Sequence, residues 1–148
     1  MNKALKFASR DSSEGHLECM RILINHGANV NARNDDNQWT ALHCAASCKN
    51  IGGINLLLDN GAEIDQVNND NETPLMLTCY NDDINSTRVL LERGTNLTIP
   101  NEWGNTCLHY ATYRLNIDMI KLLFEYGADD TIVNVCKLFI FFAIICDK

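Results

Sequence analysis

Apolar residues return along this chain at one long interval. Leu42, Leu75 and Leu108 stand 33 residues apart, each two positions after a threonine, Thr40, Thr73 or Thr106. The stretch from Asn101 to Asp129 reads as a turn, a short helix opened by Thr106, a break, and a longer helix carrying Ile117, Ile120, Leu122 and Leu123. Gly127 stops that helix, and Gly27, Gly61 and Gly94 hold the same place, the four glycines being 34, 33 and 33 apart. A fixed period of this size predicts a stacked array in which each helix pair completes the core of its neighbour.

The motifs around these positions repeat as well. Thr40-Ala41-Leu42-His43-Cys44-Ala45-Ala46 is followed by Gly61-Ala62-Glu63-Ile64-Asp65, Thr73-Pro74-Leu75-Met76 by Gly94-Thr95, and Thr106-Cys107-Leu108-His109-Tyr110-Ala111 by Gly127-Ala128-Asp129. The first unit keeps Gly15-His16-Leu17 and Gly27-Ala28-Asn29-Val30-Asn31. In these residues the chain resembles the ankyrin repeat family. The resemblance implies an all-α solenoid of stacked helix-turn-helix units with β-turn fingers, spanning residues 1–133 as repeats of about 2–34, 35–67, 68–100 and 101–133, with 134–148 left as an apolar C-terminal segment. It also implies that His43 and His109 are structural histidines bonded to the adjacent turn.

The units depart from the pattern in different ways. In the first, Leu5, Phe7 and Ala8 are expected to line a short helix, with about three extra residues in the polar stretch from Arg10 to Glu14. As the N-terminal cap its outer face is expected to turn polar. In the second, Thr40 can cap its helix, Lys49-Asn50 replaces the family's Gly-His break, and Gly52 and Gly53 fall near the start of the second helix. Two such glycines weaken a helix by roughly 1–2 kcal/mol, and predict a frayed first turn or, alternatively, a hinge. The third places Pro74 at the first helical position, where its missing N–H costs nothing, but has Met76 for the histidine and Ser86 and Thr87 on the packing face. The fourth is best kept: Gly104 matches a turn glycine that Gln38 and Asn71 replace earlier, although Leu115 occupies the break.

Composition narrows the function. A net charge of −7 argues against a phosphate backbone as ligand, hence no nucleic acid, and favours a protein surface that is basic or of mixed charge. Seven cysteines are an odd number, and several occupy helix positions for small or apolar residues, so reduced thiols in an intracellular, most simply cytoplasmic, protein are expected. The N-terminus lacks the continuous apolar run of a signal peptide. Residues 138–146 form nine uncharged apolar residues, short of the roughly 20 a membrane span needs. A degenerate capping helix, a surface for homo-oligomer or partner contact, and membrane association are the three readings of that tail.

No enzyme constellation is present: there is no Walker loop, Rossmann glycine run or His-Glu-x-x-His motif. His43 and Cys44 are sequence neighbours whose directions diverge on a helix. Cys44, Cys48 and Cys79 could be imagined as a thiolate metal site, but small core residues explain them more simply, so neither metal nor cofactor is expected. What remains is a noncatalytic protein-binding module. The resemblance places partners across the turn tips and the exposed ends of the first helices, here Asp35, Asp36, Trp39, Asp70, Glu72, Glu102 and Trp103 on the turns and Tyr80, Tyr113 and Arg114 on the helices. Aromatic anchors ringed by carboxylates suit a protein segment; the alternative for Trp39 and Trp103 is that they cover neighbouring turns. An adaptor role in a ubiquitin ligase, or a fragment of a larger signalling or host-interaction protein, is the rival reading; no added box motif is visible.

Overall fold

After the first, each helix pair begins at a threonine whose side chain can satisfy a free N–H group of the first turn. In a computed structural model, which describes residues 1–129, the helices are α1 (Asn2–Ala8), α2 (Glu14–Asn25), α3 (Ala41–Ser47), α4 (Ile51–Asp59), α5 (Pro74–Tyr80), α6 (Ile84–Glu92), α7 (Cys107–Tyr113) and α8 (Ile117–Glu125), with no strand among the described residues. Thr40, Thr73 and Thr106 are the N-caps of α3, α5 and α7, and Asn50, Asp83 and Asn116 those of α4, α6 and α8. Gly27, Gly61, Gly94 and Gly127 all have positive φ just after their helices, a conformation that costs glycine nothing.

The odd-numbered helices stack as an inner row, α1 on α3 on α5 on α7, and the even-numbered ones as an outer row. The recurring leucines Leu42, Leu75 and Leu108 are each 1 % exposed between the rows. Ala45, Ala46 and Ala111 are fully buried and let the inner helices approach closely. Ile54, Leu57, Leu90, Met119 and Leu123 close the core from the outer row, each such side chain contributing roughly 1.5–3 kcal/mol of burial. The expectations for residues 134–148, including the apolar run 138–146, lie outside the described residues, as do positions 130–133.

Three details differ from the sequence reading. Gly52 and Gly53 mark neither a frayed turn nor a hinge; both lie in regular helix α4 and mark close approach. Gly53 N–H donates to Asn50 Oδ1 at 2.8 Å, and a Cβ at Gly53 would lie 2.6 Å from Asn50 Nδ2; a Cβ at Gly52 would meet the Leu17 side chain at 2.9 Å. Gly15 is not the break of the first unit. It sits inside α2, whose N-cap residue is Ser13, with the Ser13 hydroxyl paired to His16 Nδ1 at 2.8 Å. The outer face of the first pair is apolar, not polar. Phe7 is 69 % and Ile22 49 % exposed, beside a groove of about 490 Å³ that Ala4, Cys19 and Leu23 also line. One period later Leu56, in the position of Ile22, lies beside Ile24 of the preceding pair, so this is the face each unit turns toward its predecessor.

The break between the paired helices needs a left-handed residue in three units. Lys49, Asp82 and Leu115 have φ of 58°, 59° and 56°. Leu115 is 67 % exposed, so its side chain gains little from packing while its backbone carries the left-handed cost. We expect Leu115→Gly to stabilise the fold by about 1 kcal/mol. A urea titration checks this, and a lower midpoint in the variant would contradict it.

Candidate functional site

Three turns project beyond the inner helices as fingers, built by asparagines whose amide oxygens accept from the backbone two to five residues ahead. Asn34 Oδ1 takes Trp39 N–H at 2.6 Å. Asn68 Oδ1 takes Asp70 and Glu72 N–H at 2.9 and 2.8 Å, and Asn101 Oδ1 takes Trp103 and Asn105 N–H at 3.0 and 2.8 Å. Gln38, Asn71 and Gly104 take positive φ at equivalent places. Neighbouring fingers are joined by the backbone, Asn69 N–H donating to Asn37 O at 3.1 Å and Glu102 N–H to Asp70 O at 3.0 Å. These bonds turn separate loops into a continuous rim beside the inner helices.

The histidines join rim to helices. Thr40 N–H donates to His43 Nδ1 at 3.2 Å, and His43 Nε2 pairs with Glu72 O of the next finger at 3.1 Å. Nδ1 is therefore the acceptor and Nε2–H the donor. Burial lowers the His43 pKa from 6.5 to about 4, with Arg33 adding a smaller push, so the ring stays neutral. His109 repeats the contact to Thr106 N–H at 3.0 Å, and burial lowers its pKa also. Met76 leaves the third unit with the threonine cap alone, Met76 N–H to Thr73 Oγ1 at 3.3 Å.

The groove has an organised centre between the second and third fingers. Tyr110 donates its hydroxyl to Glu72 Oε1 at 2.8 Å and accepts from Asn101 Nδ2 at 2.9 Å. Burial first, then the Glu72 carboxylate, pushes the Tyr110 pKa well up, so the phenol remains a donor. Glu72 is held further by Asn68 Nδ2 at 3.2 Å. Tyr80 meets Tyr110 edge-on, with centroids 5.7 Å apart, and the Arg114 guanidinium lies 5.9 Å over the Tyr80 ring. Tyr80 is 50 % and Tyr113 77 % exposed at equivalent positions of successive inner helices, and Trp103 is 64 % exposed on its finger.

The sequence-selected residues therefore divide. Glu72, Tyr80 and Arg114 are brought together around Tyr110; Asp70, Glu102 and Trp103 follow along the rim; Asp35 and Asp36 lie exposed on the first finger. Trp39 is half-buried with its ring 6.0 Å from His43, covering its own turn more than offering a free face. Tyr110, the hub, was not among the selected residues. Its signal was available: it lies three and four residues before Tyr113 and Arg114, on the same side of α7.

Cys44 and Cys79 are buried in the core. Burial raises the Cys44 pKa, and the adjacent Cys107, with burial, raises that of Cys79, which favours the thiol over the thiolate at both. Among the described residues no group of three or more His, Cys, Asp or Glu could hold a metal ion, and no helix is long and apolar enough to cross a membrane.

Comparison with known proteins agrees with this architecture. The family model for ankyrin repeats (3 copies) matches residues 2–68 and 53–134. Neurogenic locus notch homolog protein 1 of Mus musculus is 48 % identical over 73 residues, 49 % of this chain and 3 % of the relative. NF-kappa-B inhibitor cactus of Drosophila melanogaster is 39 % identical over 66 residues, 45 % of this chain and 13 % of the relative. Protein phosphatase 1 regulatory subunit 27 of Homo sapiens is 37 % identical over 60 residues, 40 % of this chain and 38 % of the relative. The matches thus cover well under two thirds of each relative's length. The family match runs through all four helix pairs, from α1 to α8, and the chain belongs to the ankyrin repeat family.

Proposed function

We propose that the chain is a noncatalytic protein-binding module that seats a partner segment in the groove between the fingers and the inner helices. The observation that carries this reading is the set of exposed side chains Tyr80, Tyr113, Arg114 and Trp103 along the inner helices and the third finger, of which Tyr80 packs on Tyr110 of the fixed Tyr110–Glu72–Asn101 network and Arg114 lies over Tyr80. Large aromatics with half or more of their surface in water do little for folding. Held at the ends of packed helices and on a hydrogen-bonded finger, they lose little entropy on meeting a partner, which is the profile of interface hot spots. Cactus is named as an inhibitor of NF-kappa-B and another relative as a regulatory subunit of protein phosphatase 1, which fits regulation through binding.

The test is affinity capture from cell extract with the intact chain and with a Tyr80/Trp103/Tyr113 triple alanine variant. Hot-spot truncations cost about 2 kcal/mol or more each, so the variant should lose its partner while keeping its circular dichroism and melting temperature. Unchanged capture by the folded variant would reject the groove.

A further inference from the structure

We infer that Asn60 is a site of spontaneous covalent modification, in which the backbone nitrogen of Gly61 displaces the Asn60 side-chain amide and leaves aspartate or isoaspartate at the end of α4. The site lies at the joint between the first and second helix pairs and is independent of the groove reading above.

The first observation is one of sequence and place. Asn60 is the only asparagine of the chain that is followed by glycine, the other stop glycines following His26, Arg93 and Tyr126. A side chain on the following residue crowds its backbone nitrogen, and glycine leaves that nitrogen open to react. Asn60 is exposed, and a Cβ built at Gly61 would meet nothing within 4 Å. Asn85-Ser86, by contrast, lies inside helix α6 with Ser86 buried.

The reaction balances within the chain and solvent water. Gly61 N forms a bond to Asn60 Cγ, the Cγ–Nδ2 bond breaks, and the side-chain nitrogen leaves as ammonia with the proton from Gly61. Water then opens the five-membered imide at either carbonyl. One opening gives aspartate, the other isoaspartate, whose backbone runs through the side-chain carbons. No oxidant or reductant takes part.

The second observation is that the fold gates this step and depends on the residue it consumes. Asn60 has a ψ of 21°, which turns Gly61 N toward the Asn60 nitrogen and away from its Cβ. Gly61 N–H donates to Leu58 O at 3.1 Å, and Asn60 Nδ2 donates to Leu56 O at 2.8 Å. Both bonds have to break before Gly61 N can reach Cγ, so the reaction runs from the opened last turn of α4, and exposed helix ends open at little cost. On the far side of the turn Gly61 O accepts Asn31 Nδ2 at 3.0 Å, while Asn31 Oδ1 accepts Glu63 N–H at 2.8 Å. Isoaspartate inserts one more backbone atom before Gly61, which shifts this turn off Asn31. Either product also replaces the donor to Leu56 O with a carboxylate at a helix C-terminus, where negative charge is unfavourable. Modification therefore loosens the first helix pair from the second.

The test incubates the full chain in mildly alkaline buffer, with and without urea, and maps it at intervals by peptide fragmentation. Asn60 should convert before any other asparagine, to a mixture of aspartate and isoaspartate, and about tenfold more slowly without urea. Asn60→Gln, which would have to close a six-membered ring, should stay unconverted at that position. In the converted, folded chain hydrogen exchange should quicken at the Gly61, Ala62 and Glu63 amides. Asn60→Asp carries the charge without the extra backbone atom and should show a smaller gain. Earlier conversion of another asparagine in the folded chain, or equal rates with and without urea, would overturn the inference. So would a folded chain still unconverted after about ten times the period that completes the reaction in urea. Exchange unchanged by conversion would overturn the loosening of the first pair.

Discussion

Acidification from pH 6.5 to about 4 is expected to remove about 3 kcal/mol of folding stability through His43 alone. Burial keeps this imidazole neutral, and its pKa falls from 6.5 in the open chain to about 4 in the fold. Between those values the unfolded chain binds the extra proton and the folded chain does not. The contribution is fully present above 6.5 and is lost progressively as the pH falls toward 4. The geometry explains why the fold refuses the proton: it would have to sit on Nδ1, which already accepts Thr40 N–H at 3.2 Å. His109, lowered in the same direction, adds a smaller slope of the same sign.

Denaturant unfolding across this pH range, for the parent chain and for His43→Met, separates the effect from general acid loss. Methionine is what the third unit carries at this position. The variant should start roughly 1–2 kcal/mol less stable above pH 6.5, having lost the bond to Glu72 O, and then change much less with pH. An unchanged slope in His43→Met would place the pH dependence elsewhere.

Asn50→Ala is expected to cost roughly 3 kcal/mol and to release the first helix pair from the second. The Asn50 side chain is fully buried. Its Nδ2 donates to Ser9 O at 3.1 Å and Asp11 O at 2.7 Å, and its Oδ1 caps α4 by accepting Gly53 N–H. Alanine leaves two carbonyls and one N–H without their partner. Asn116 makes a similar reach to Asp82 Oδ1 at 2.8 Å, whereas Asp83 has no amide N–H to offer and its buried Oδ2 has no partner among the described residues. The first interface therefore depends on Asn50 more heavily than the second depends on Asp83.

Because each unit of a stacked array touches only its neighbours, the damage should be local. Hydrogen exchange should quicken in α1 and α2 while α5 to α8 keep their protection. Asn50→Asp retains the capping oxygen but loses the donor, and should show the same local release with α4 intact. Uniform loss of protection along the chain would instead show that the array unfolds as one unit.

How far the sequence reaches can be seen in particular residues. The period of 33 and the threonines Thr40, Thr73 and Thr106 located the inner helices because capping and apolar spacing are local rules that act within one turn of helix. Tyr80 and Tyr113 were legible as a row since equivalent positions of stacked units share a face. Gly53 was not. A glycine early in a helix reads as weakness until the Asn50 amide is seen to occupy the space of its Cβ. Phe7, expected to line the first short helix with Leu5 and Ala8, remains exposed on the face that the following units turn toward a predecessor.

The sequence by itself determined the elements, their order and their stacking, since a repeated local pattern permits one mode of burial. Only the tertiary structure decided which side chains of different units meet. Tyr110 becomes a hub by meeting Glu72, 38 residues earlier, and Asn50 becomes the tie between the first two helix pairs by reaching Ser9 O and Asp11 O. Both are properties of hydrogen bonds made between units, and no spacing within a unit specifies them.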